Sequence, residues 1–128
     1  MPVTSTDFIE LAKFCASRKD EIGYRNAVAR AYYGAYHHVL PHLKQGPKDN
    51  HQGLIDYLTT MAWRDDAEPY PKKTLIGLGI ALQSLKDQRI ISDYKLEATI
   101  SELDSQVAIK TAEKLLNRCA EMVKTKAS

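Results

Sequence analysis

The sequence has few cysteines, no long apolar run and no apolar segment at its start. Its two cysteines, Cys15 and Cys119, lie far apart in helix-like stretches, and two cysteines do not make a disulfide framework or a zinc cluster. We therefore expect free thiols in a reducing compartment. The longest uncharged stretch after position 70 covers residues 74–85, far short of the ~20 residues that a membrane span needs. Because residues 1–7 are polar, we expect no signal peptide, and these absences together predict a cytoplasmic protein.

Neither sign of charge dominates the chain. Its 18 lysines and arginines and 16 acidic residues give a formal net charge of +2, and a balance this even does not by itself indicate a nucleic-acid binder. The chain has 128 residues, of which 44% are hydrophobic, so there is enough apolar material for one core and disorder is not expected. We predict a single domain over residues 1–128.

Sustained strand alternation is also absent, and apolar residues recur with helical periodicity. Proline and glycine cluster at 45–50 and 65–71, which predicts two loops. The rest of the pattern predicts helices over about 6–17, 20–40, 51–62 and 72–91, and a fifth that begins near 101. Five helices with short connections indicate an all-α fold, an antiparallel bundle of four to five helices.

Three local patterns give the predicted helices more detail. The first helix is expected to use Thr6 as its N-cap and to carry an apolar stripe of Phe8, Leu11, Ala12 and Cys15. Residues 101–104 resemble a capping box at the start of the fifth helix. Two glycines inside the fourth helix, Gly77 and Gly79, cost about 1 kcal/mol each relative to alanine. We expect that glycine is found at these two positions because another helix packs closely against them.

The second helix has an apolar face and a polar patch. Turning about 100° per residue from Arg30 places one group between about 140° and 240°: Val28, Tyr32, Ala35, Tyr36, Val39 and Leu43. Arg30 and His37 are seven positions apart and therefore lie within about 20° of each other. The sector around them also contains Asn26, Ala27, Tyr33 and Gly34. The wheel predicts a polar patch that points away from the core, formed by Arg30, His37, Asn26 and Tyr33.

An arginine beside a histidine suits phosphodiester chemistry. A guanidinium can hold a phosphate through two parallel hydrogen bonds, and an imidazole can move a proton near neutral pH. The simpler interpretation is that Arg30 and His37 only share a solvated face. Tyr33 lies on the same face, where it could stack on a base or fill a dimer interface.

Two runs in the chain resemble motifs of one protein family. The run over 25–38 resembles the signature helix of the HEPN superfamily, which carries an arginine, four to six residues and then a histidine; Arg30 and His37 have six residues between them. The segment RAYYGAYH is similar to a run found in a branch of small stand-alone prokaryotic HEPN proteins. Downstream, the segment RIISDY (89–94) is similar to the Arg-x-x-Ala-Asp-Tyr motif of that branch. His51 also resembles a histidine often found there.

The resemblance implies a HEPN domain, an α-helical bundle that forms a homodimer. In catalytic members, the arginine and histidine of both subunits line a cleft and cleave RNA without a metal. The expected function is therefore a metal-independent endoribonuclease with Arg30 and His37 as the catalytic pair, and with Asn26 and Tyr33 supporting RNA binding. The resemblance further implies a toxin–antitoxin or phage-defence role beside a nucleotidyltransferase-type antitoxin partner.

The resemblance also implies a mechanism and leaves an alternative. His37 would take the 2′-OH proton or protonate the leaving oxygen, and Arg30 would stabilise the phosphorane charge. The expected products are a 2′,3′-cyclic or 3′ phosphate and a 5′-OH. Catalytic members usually have a polar residue after the arginine, where this chain has Ala31. The alternative is a non-catalytic HEPN module that binds a nucleotide, RNA or a nucleotidyltransferase partner.

Two further groups of residues have a structural interpretation. His38 and His42 have the spacing of a helical metal pair, but Pro41 lies between them and no third ligand is obvious, so we predict neither a metal nor a cofactor. Arg89 and Asp93 are interpreted as a structural pair at the end of the fourth helix, with Tyr94 packing the turn; contact with a ligand is the alternative. Tyr32 and Tyr36, on the apolar face of the second helix, are expected in the core.

Overall fold

The computed structural model describes residues 2–127, and the side chains of residues 2–125. Over this range it contains five α-helices, two 3₁₀ turns and no strand, so the predicted all-α bundle is confirmed. The helices are α1 (Ser5–Ala16), α2 (Glu21–Val39), α3 (His51–Thr60), α4 (Lys72–Tyr94) and α5 (Glu102–Ala127), with 3₁₀ turns at Leu40–His42 and Arg64–Asp66. No helix within residues 2–127 combines the length and the apolar character that a bilayer crossing requires.

Polar side chains set the helix starts. The α1 helix begins two residues earlier than the Thr6 cap predicts, because Thr4 and Asp7 form a capping box. In that box the Thr4 backbone N–H donates to Asp7 Oδ2 at 2.8 Å, so both orphan donors at the helix start are satisfied. Asp20 caps α2 and Asn50 caps α3, each accepting from a backbone N–H three residues ahead. The predicted capping box before α5 is confirmed by reciprocal bonds between residues 101 and 104.

The α2 helix is the central element, packed against α1, α4 and α5. Its predicted apolar face is buried, but the opposite sector is not simply open to solvent. Ala27 and Gly34 lie in that sector and are buried, and a Cβ on Gly34 would come within 2.7 Å of Ile9 Cδ1 on α1. The prediction that this sector points away from the core is therefore wrong at these two positions. At Gly34 the reason is that α1 packs against it.

The stripe predicted for α1 is wrong at Leu11, which is 44% exposed. Ala12 is buried, Phe8 and Cys15 are half-buried, and Ile9, which the predicted stripe did not include, is the other buried residue of this helix. The two cysteines are free, as expected. Cys119 is fully buried in the core, and its burial raises the pKa of the thiol to about 12, which keeps it protonated and unreactive. Cys15 is half-buried against the same core.

A buried arginine binds the backbone carbonyls at the C-terminal end of α4. Arg25 is 6% exposed, and its guanidinium donates to five backbone carbonyls at the end of α4 and in the turn that follows: Ile91, Ser92, Lys95, Leu96 and Ala98. Its Nε donates to Glu21 Oε2 at 3.0 Å. These bonds satisfy carbonyls that a helix end otherwise leaves without partners. The α4 helix runs three residues past its predicted end, to Tyr94.

The connection between α3 and α4 is organised by one buried carboxylate. Glu68 is 3% exposed and accepts from Lys44 N at 2.7 Å, Gln45 N at 2.9 Å and the Tyr57 hydroxyl at 2.6 Å. Two loops are thereby tied to α3. The nearby Trp63 ring lies between two cations, with the Arg64 guanidinium 4.9 Å and Lys72 Nζ 4.1 Å from its centroid.

The two glycines of α4 are in different surroundings, which gives a paired prediction. A Cβ on Gly79 would lie 2.6 Å from Thr59 Cγ2 and 3.3 Å from the backbone oxygen of Ile55, whereas a Cβ on Gly77 would meet only the end of the Arg118 side chain. We expect Gly79→Ala to lower the free energy of unfolding by about 1–2 kcal/mol through overpacking. Gly77→Ala should raise it by up to about 1 kcal/mol through helix propensity. Urea unfolding followed by circular dichroism compares them, and changes of the same sign would contradict the close α3–α4 approach.

Candidate functional site

Arg30 lies at the edge of the core and forms no ion pair with any residue that the structure describes. Its side chain is half-buried, and its Cζ lies 5.1 Å from the centroid of the Tyr33 ring, a cation–π contact. Its Nε is buried and has no hydrogen-bond partner within the described part of the chain. Such an arginine is unusual, because buried polar atoms are nearly always hydrogen-bonded. Nε is enclosed, so an anion would be bound through the Nη groups of Arg30, which also have no hydrogen-bond or ion-pair partner among the described residues.

A second arginine reaches the same tyrosine from α4. Arg89 Nη1 donates to the Tyr33 hydroxyl at 3.1 Å, and the guanidinium lies 5.5 Å from the Tyr33 centroid and 5.7 Å from that of Tyr32. Arg89 also forms an ion pair of 3.4 Å with Asp93 one turn later, the pair that the sequence indicates. Its Nε, like that of Arg30, is buried without a partner among the residues described. Tyr94 is 69% exposed and does not pack the turn.

His37 is exposed and continues this group along α2. Its ring lies 6.5 Å from the Tyr33 ring at an interplanar angle of 26° and 5.3 Å from the Phe8 ring. It also borders a surface cavity of about 440 Å³ between the start of α1 and the end of α2. The structure thus brings Arg30, Tyr33 and His37 onto one surface, with Tyr33 between the other two.

Asn26 has a different environment from the rest of the predicted patch. Its amide donates to the Ile22 carbonyl at 2.8 Å, and its side chain borders a groove together with Leu11 and Phe14. It has no contact with Arg30 among those that the structure describes. The i, i+4 spacing on α2 relates the two residues, but the amide is used to bond its own helix.

His51 lies at the site, although the sequence did not place it among the catalytic or RNA-binding residues. Its Nδ1 is 2.6 Å from the Tyr32 hydroxyl, and its ring stacks on Tyr36 with centroids 3.9 Å apart. Burial lowers the pKa of His51, and the positive charges of Arg89, His37 and Lys86 lower it further. His51 is therefore neutral at pH 7. Apart from its family-like position, no sequence signal marks it, because the residues that hold it come from α2.

The cluster carries an excess of positive charge. Arg30, Lys86 and Arg89 surround Tyr33 and His51, while Asp93 is the acidic group paired within it. Lys86 Nζ donates to the neutral Gln52 at 2.9 Å rather than to a carboxylate. We call these residues together with His37 the cationic cluster: Arg30, Tyr33, His37, His51, Lys86 and Arg89. A surface with this balance attracts anionic ligands.

The histidines at the end of α2 serve a local contact. His38 Nδ1 lies 2.8 Å from Ser5 Oγ at the start of α1, and the His38 and His42 rings are 5.4 Å apart. Within residues 2–127 there is no group of three or more histidine, cysteine or acidic side chains that could hold a metal. Burial, followed by the charge of His42, lowers the pKa of His38.

The lowered pKa of His51 makes the stability depend on pH. Because the folded protein binds this proton more weakly, the unfolded chain takes up more protons once the pH falls below the ordinary histidine value of 6.5. The contribution is fully present above that value and declines as the pH falls. We expect His51→Asn to flatten the fall of the urea midpoint between about pH 7.5 and 5.5. Equal slopes in the wild type and the variant would contradict a neutral His51 in the folded state.

No family model, curated protein or solved structure matches this chain. What the site can do therefore follows from its own chemistry. Two guanidinium groups have donors to spare for a phosphate, one imidazole is neutral and fixed, and a second is exposed beside them. The arrangement is able to bind a phosphodiester and to move protons next to it.

Proposed function

We propose that the protein is a metal-independent endoribonuclease of the HEPN type, with Arg30 and His37 as its catalytic pair. The observation that carries the proposal is the half-buried Arg30 guanidinium, which has no carboxylate partner among the described residues and shares a surface with the exposed His37. The resemblance of the run from Arg30 to His37 to the HEPN signature is a second and independent support.

An unpaired, half-buried arginine points to an anionic ligand. Burying a charged group without a partner is costly, and that cost is offset when a phosphate supplies two charge-assisted hydrogen bonds. Tyr33 holds the Arg30 guanidinium from one side and offers a ring on which a base can stack. RNA provides the phosphate, the base and the 2′-hydroxyl that this reaction consumes.

The reaction that fits these groups is transesterification at a phosphodiester. His37 exchanges a proton with the 2′-hydroxyl or with the leaving oxygen, and Arg30 stabilises the negative charge that develops on the phosphorane. The products are a 2′,3′-cyclic phosphate and a 5′-hydroxyl. None of these steps requires a metal ion or a cofactor.

We further propose that the protein acts as a homodimer. Leu11 (44% exposed), Phe14 (71%) and Ile22 (57%) lie beside Asn26 around one groove, and such exposed apolar side chains mark interaction surfaces. Ile22 and Asn26 continue on α2 towards Arg30. A two-fold axis at this surface would bring two copies of the Arg30–His37 pair together. A toxin or phage-defence role beside a nucleotidyltransferase-type antitoxin is the setting that the HEPN resemblance implies.

The test is RNA cleavage by the purified protein in EDTA, beside Arg30→Ala and His37→Ala. We expect each substitution to reduce the cleavage rate by about 10²- to 10⁴-fold, and the wild type to leave cyclic-phosphate ends. Arg64→Ala is the matched control, because Arg64 is exposed and contacts Trp63 outside both the cationic cluster and the groove. Cleavage that survives both site substitutions would contradict the assignment, and a monomer in light scattering at tens of micromolar would contradict the dimer.

A second candidate is a HEPN module that binds a nucleotide, RNA or a nucleotidyltransferase partner without cleaving it. The observation that favours it is Ala31, which is fully buried in the core, so its methyl group occupies the position where catalytic members carry a polar side chain. RNA binding by a folded protein that cleaves none of several RNAs would select this function over the nuclease.

A further inference from the structure

We propose that His51 is a second catalytic residue, the general base of the reaction, and that it acts in the same subunit as His37. This inference rests on the ribonuclease function proposed above and deepens it. Tyr36 contacts both imidazoles, with its centroid 3.9 Å from that of His51 and 5.4 Å from that of His37. Tyr33 is also near both, at 6.1 Å from His51 and 6.5 Å from His37. One subunit therefore holds two histidines against the same pair of rings.

The environment of His51 fixes one nitrogen and leaves the other open. Nδ1 is held at 2.6 Å by the hydroxyl of Tyr32, a residue with no exposed surface. Nε2 has no hydrogen-bond partner in the range that the structure describes. A base at Nε2 requires the tautomer in which Nδ1 carries the hydrogen and donates to the Tyr32 oxygen, because a phenol hydroxyl can accept as well as donate. That hydrogen bond is kept when Nε2 takes up a proton. A third group that orients a base in this way is a regular feature of catalytic sites.

The charged groups around His51 suit a base that acts beside a phosphate. From α4, Lys86 and Arg89 face it, and Arg89 is paired with Asp93. From α2 it meets three tyrosines and His37: Tyr32, Tyr33, Tyr36 and His37. Burial, and after it these cations, lowers the pKa of His51 and so favours the neutral imidazole in the free protein, which is the form that accepts a proton. A bound phosphate neutralises part of that charge and strengthens the base when the substrate is present.

Arg30 and Arg89 are the groups that hold the phosphate beside the two histidines. Arg30 and Arg89 lie 5.1 Å and 5.5 Å from the Tyr33 centroid, and the Nε atom of each is buried without a partner among the described residues. In the reaction, His51 accepts the proton of the 2′-hydroxyl, and the 2′-oxygen forms a bond to phosphorus. The bond from phosphorus to the 5′-oxygen breaks, and imidazolium His37 gives that oxygen its proton. One proton is taken and one is given, so the step balances without a further reactant.

The first test compares His51→Asn with His42→Asn. Asparagine can keep a hydrogen bond to Tyr32 but cannot accept the proton, whereas His42 lies outside the cationic cluster. We expect His51→Asn to bind RNA as the wild type does, to cleave it at least about a hundredfold more slowly, and to lose the acidic limb of the rate–pH profile. His42→Asn should cleave normally. Full activity in His51→Asn overturns this inference alone, while a wild type that never cleaves overturns the ribonuclease proposal and this one with it.

A second variant tests the same assignment independently, in case the His51→Asn protein does not fold. Tyr32→Phe removes the hydroxyl that holds Nδ1 and keeps the ring in the core. We expect it to lower kcat with little change in KM, because Tyr32 positions the base and does not touch RNA. An unchanged kcat in a folded Tyr32→Phe protein would overturn the assignment of His51 as an oriented base.

Mixed dimers test whether both histidines act in one subunit. His37→Asn and His51→Asn proteins are unfolded together and refolded at equal concentration. With both groups in one subunit, every site in the mixture lacks one histidine, so no activity returns. With a site shared across the dimer, half of the dimers would be mixed and each would have one intact site, which restores about a quarter of the wild-type rate. Recovery to that level would overturn the single-subunit assignment.

Discussion

Arg25→Ala is expected to lower the free energy of unfolding by about 3–5 kcal/mol. The guanidinium satisfies five carbonyl oxygens at the end of α4 and in the following turn, and it pairs with Glu21 at 2.9 Å. Alanine leaves these carbonyls without donors in a site that solvent reaches poorly. Small domains have only about 5–15 kcal/mol of total stability, so the variant should be close to unfolding at 37 °C.

Unfolding in guanidinium chloride is measured for Arg25→Ala and for Arg18→Ala. The comparison separates the loss of the Arg25–carbonyl bonds, here called the clamp, from a general effect of losing an arginine. The Arg18 side chain is 59% exposed, and its ion pair with Asp20 at 3.0 Å is the kind that contributes less than about 1 kcal/mol. Arg25→Lys adds a second comparison, because an ammonium cannot span the same set of carbonyls. Losses of similar size at positions 18 and 25 would show that the clamp does not stabilise the end of α4.

Glu68→Gln should also be strongly destabilising, by about 2–3 kcal/mol. The carboxylate faces three donors, two of them backbone N–H groups from the loop after α2 and the third the Tyr57 hydroxyl. Glutamine has nearly the same shape but turns an NH₂ group towards a donor, so one buried hydrogen bond is lost and two donors are forced together. The expected result is a lower urea midpoint with an unchanged m-value.

The matched control is Glu10→Gln, which makes the same chemical change on the exposed face of α1. Its effect should stay within about 0.5 kcal/mol. If Glu68→Gln falls in the same range, the three hydrogen bonds contribute far less than their geometry indicates. Neither substitution touches the cationic cluster, so the RNA cleavage that we propose should persist at low temperature in the folded fraction of both proteins.

The helices of this fold could be predicted because their signals are local. Periodicity found all five, and the caps Asp20 and Asn50 lie next to the helices they start. The wheel of α2 failed at Ala27 and Gly34 because a wheel assumes one buried face. This helix is covered on several sides. Only the tertiary arrangement shows that α1 packs against the side that contains Gly34.

The candidate site could be predicted only in part, for a related reason. Arg30, Tyr33 and His37 lie on one helix, so their spacing alone places them on one surface. Arg89 and His51 join them from α4 and α3 through contacts with tyrosines of α2. The sequence marks these two residues only through the family resemblance, because a contact between side chains of different helices cannot be read from a single sequence. Arg25 is hidden for another reason, because its partners are mostly backbone carbonyls, which every residue carries.

The single tryptophan gives the α3–α4 connection its own spectroscopic signal. Trp63 lies between Arg64 and Lys72, and its indole N–H donates to the Thr59 carbonyl at 3.4 Å. Its fluorescence therefore reports the connection, while the far-ultraviolet dichroism reports the five helices. In a cooperative two-state domain the two curves coincide. An emission change at lower denaturant than the loss of helix would mark the connection as a separate unit that opens while the bundle stays folded.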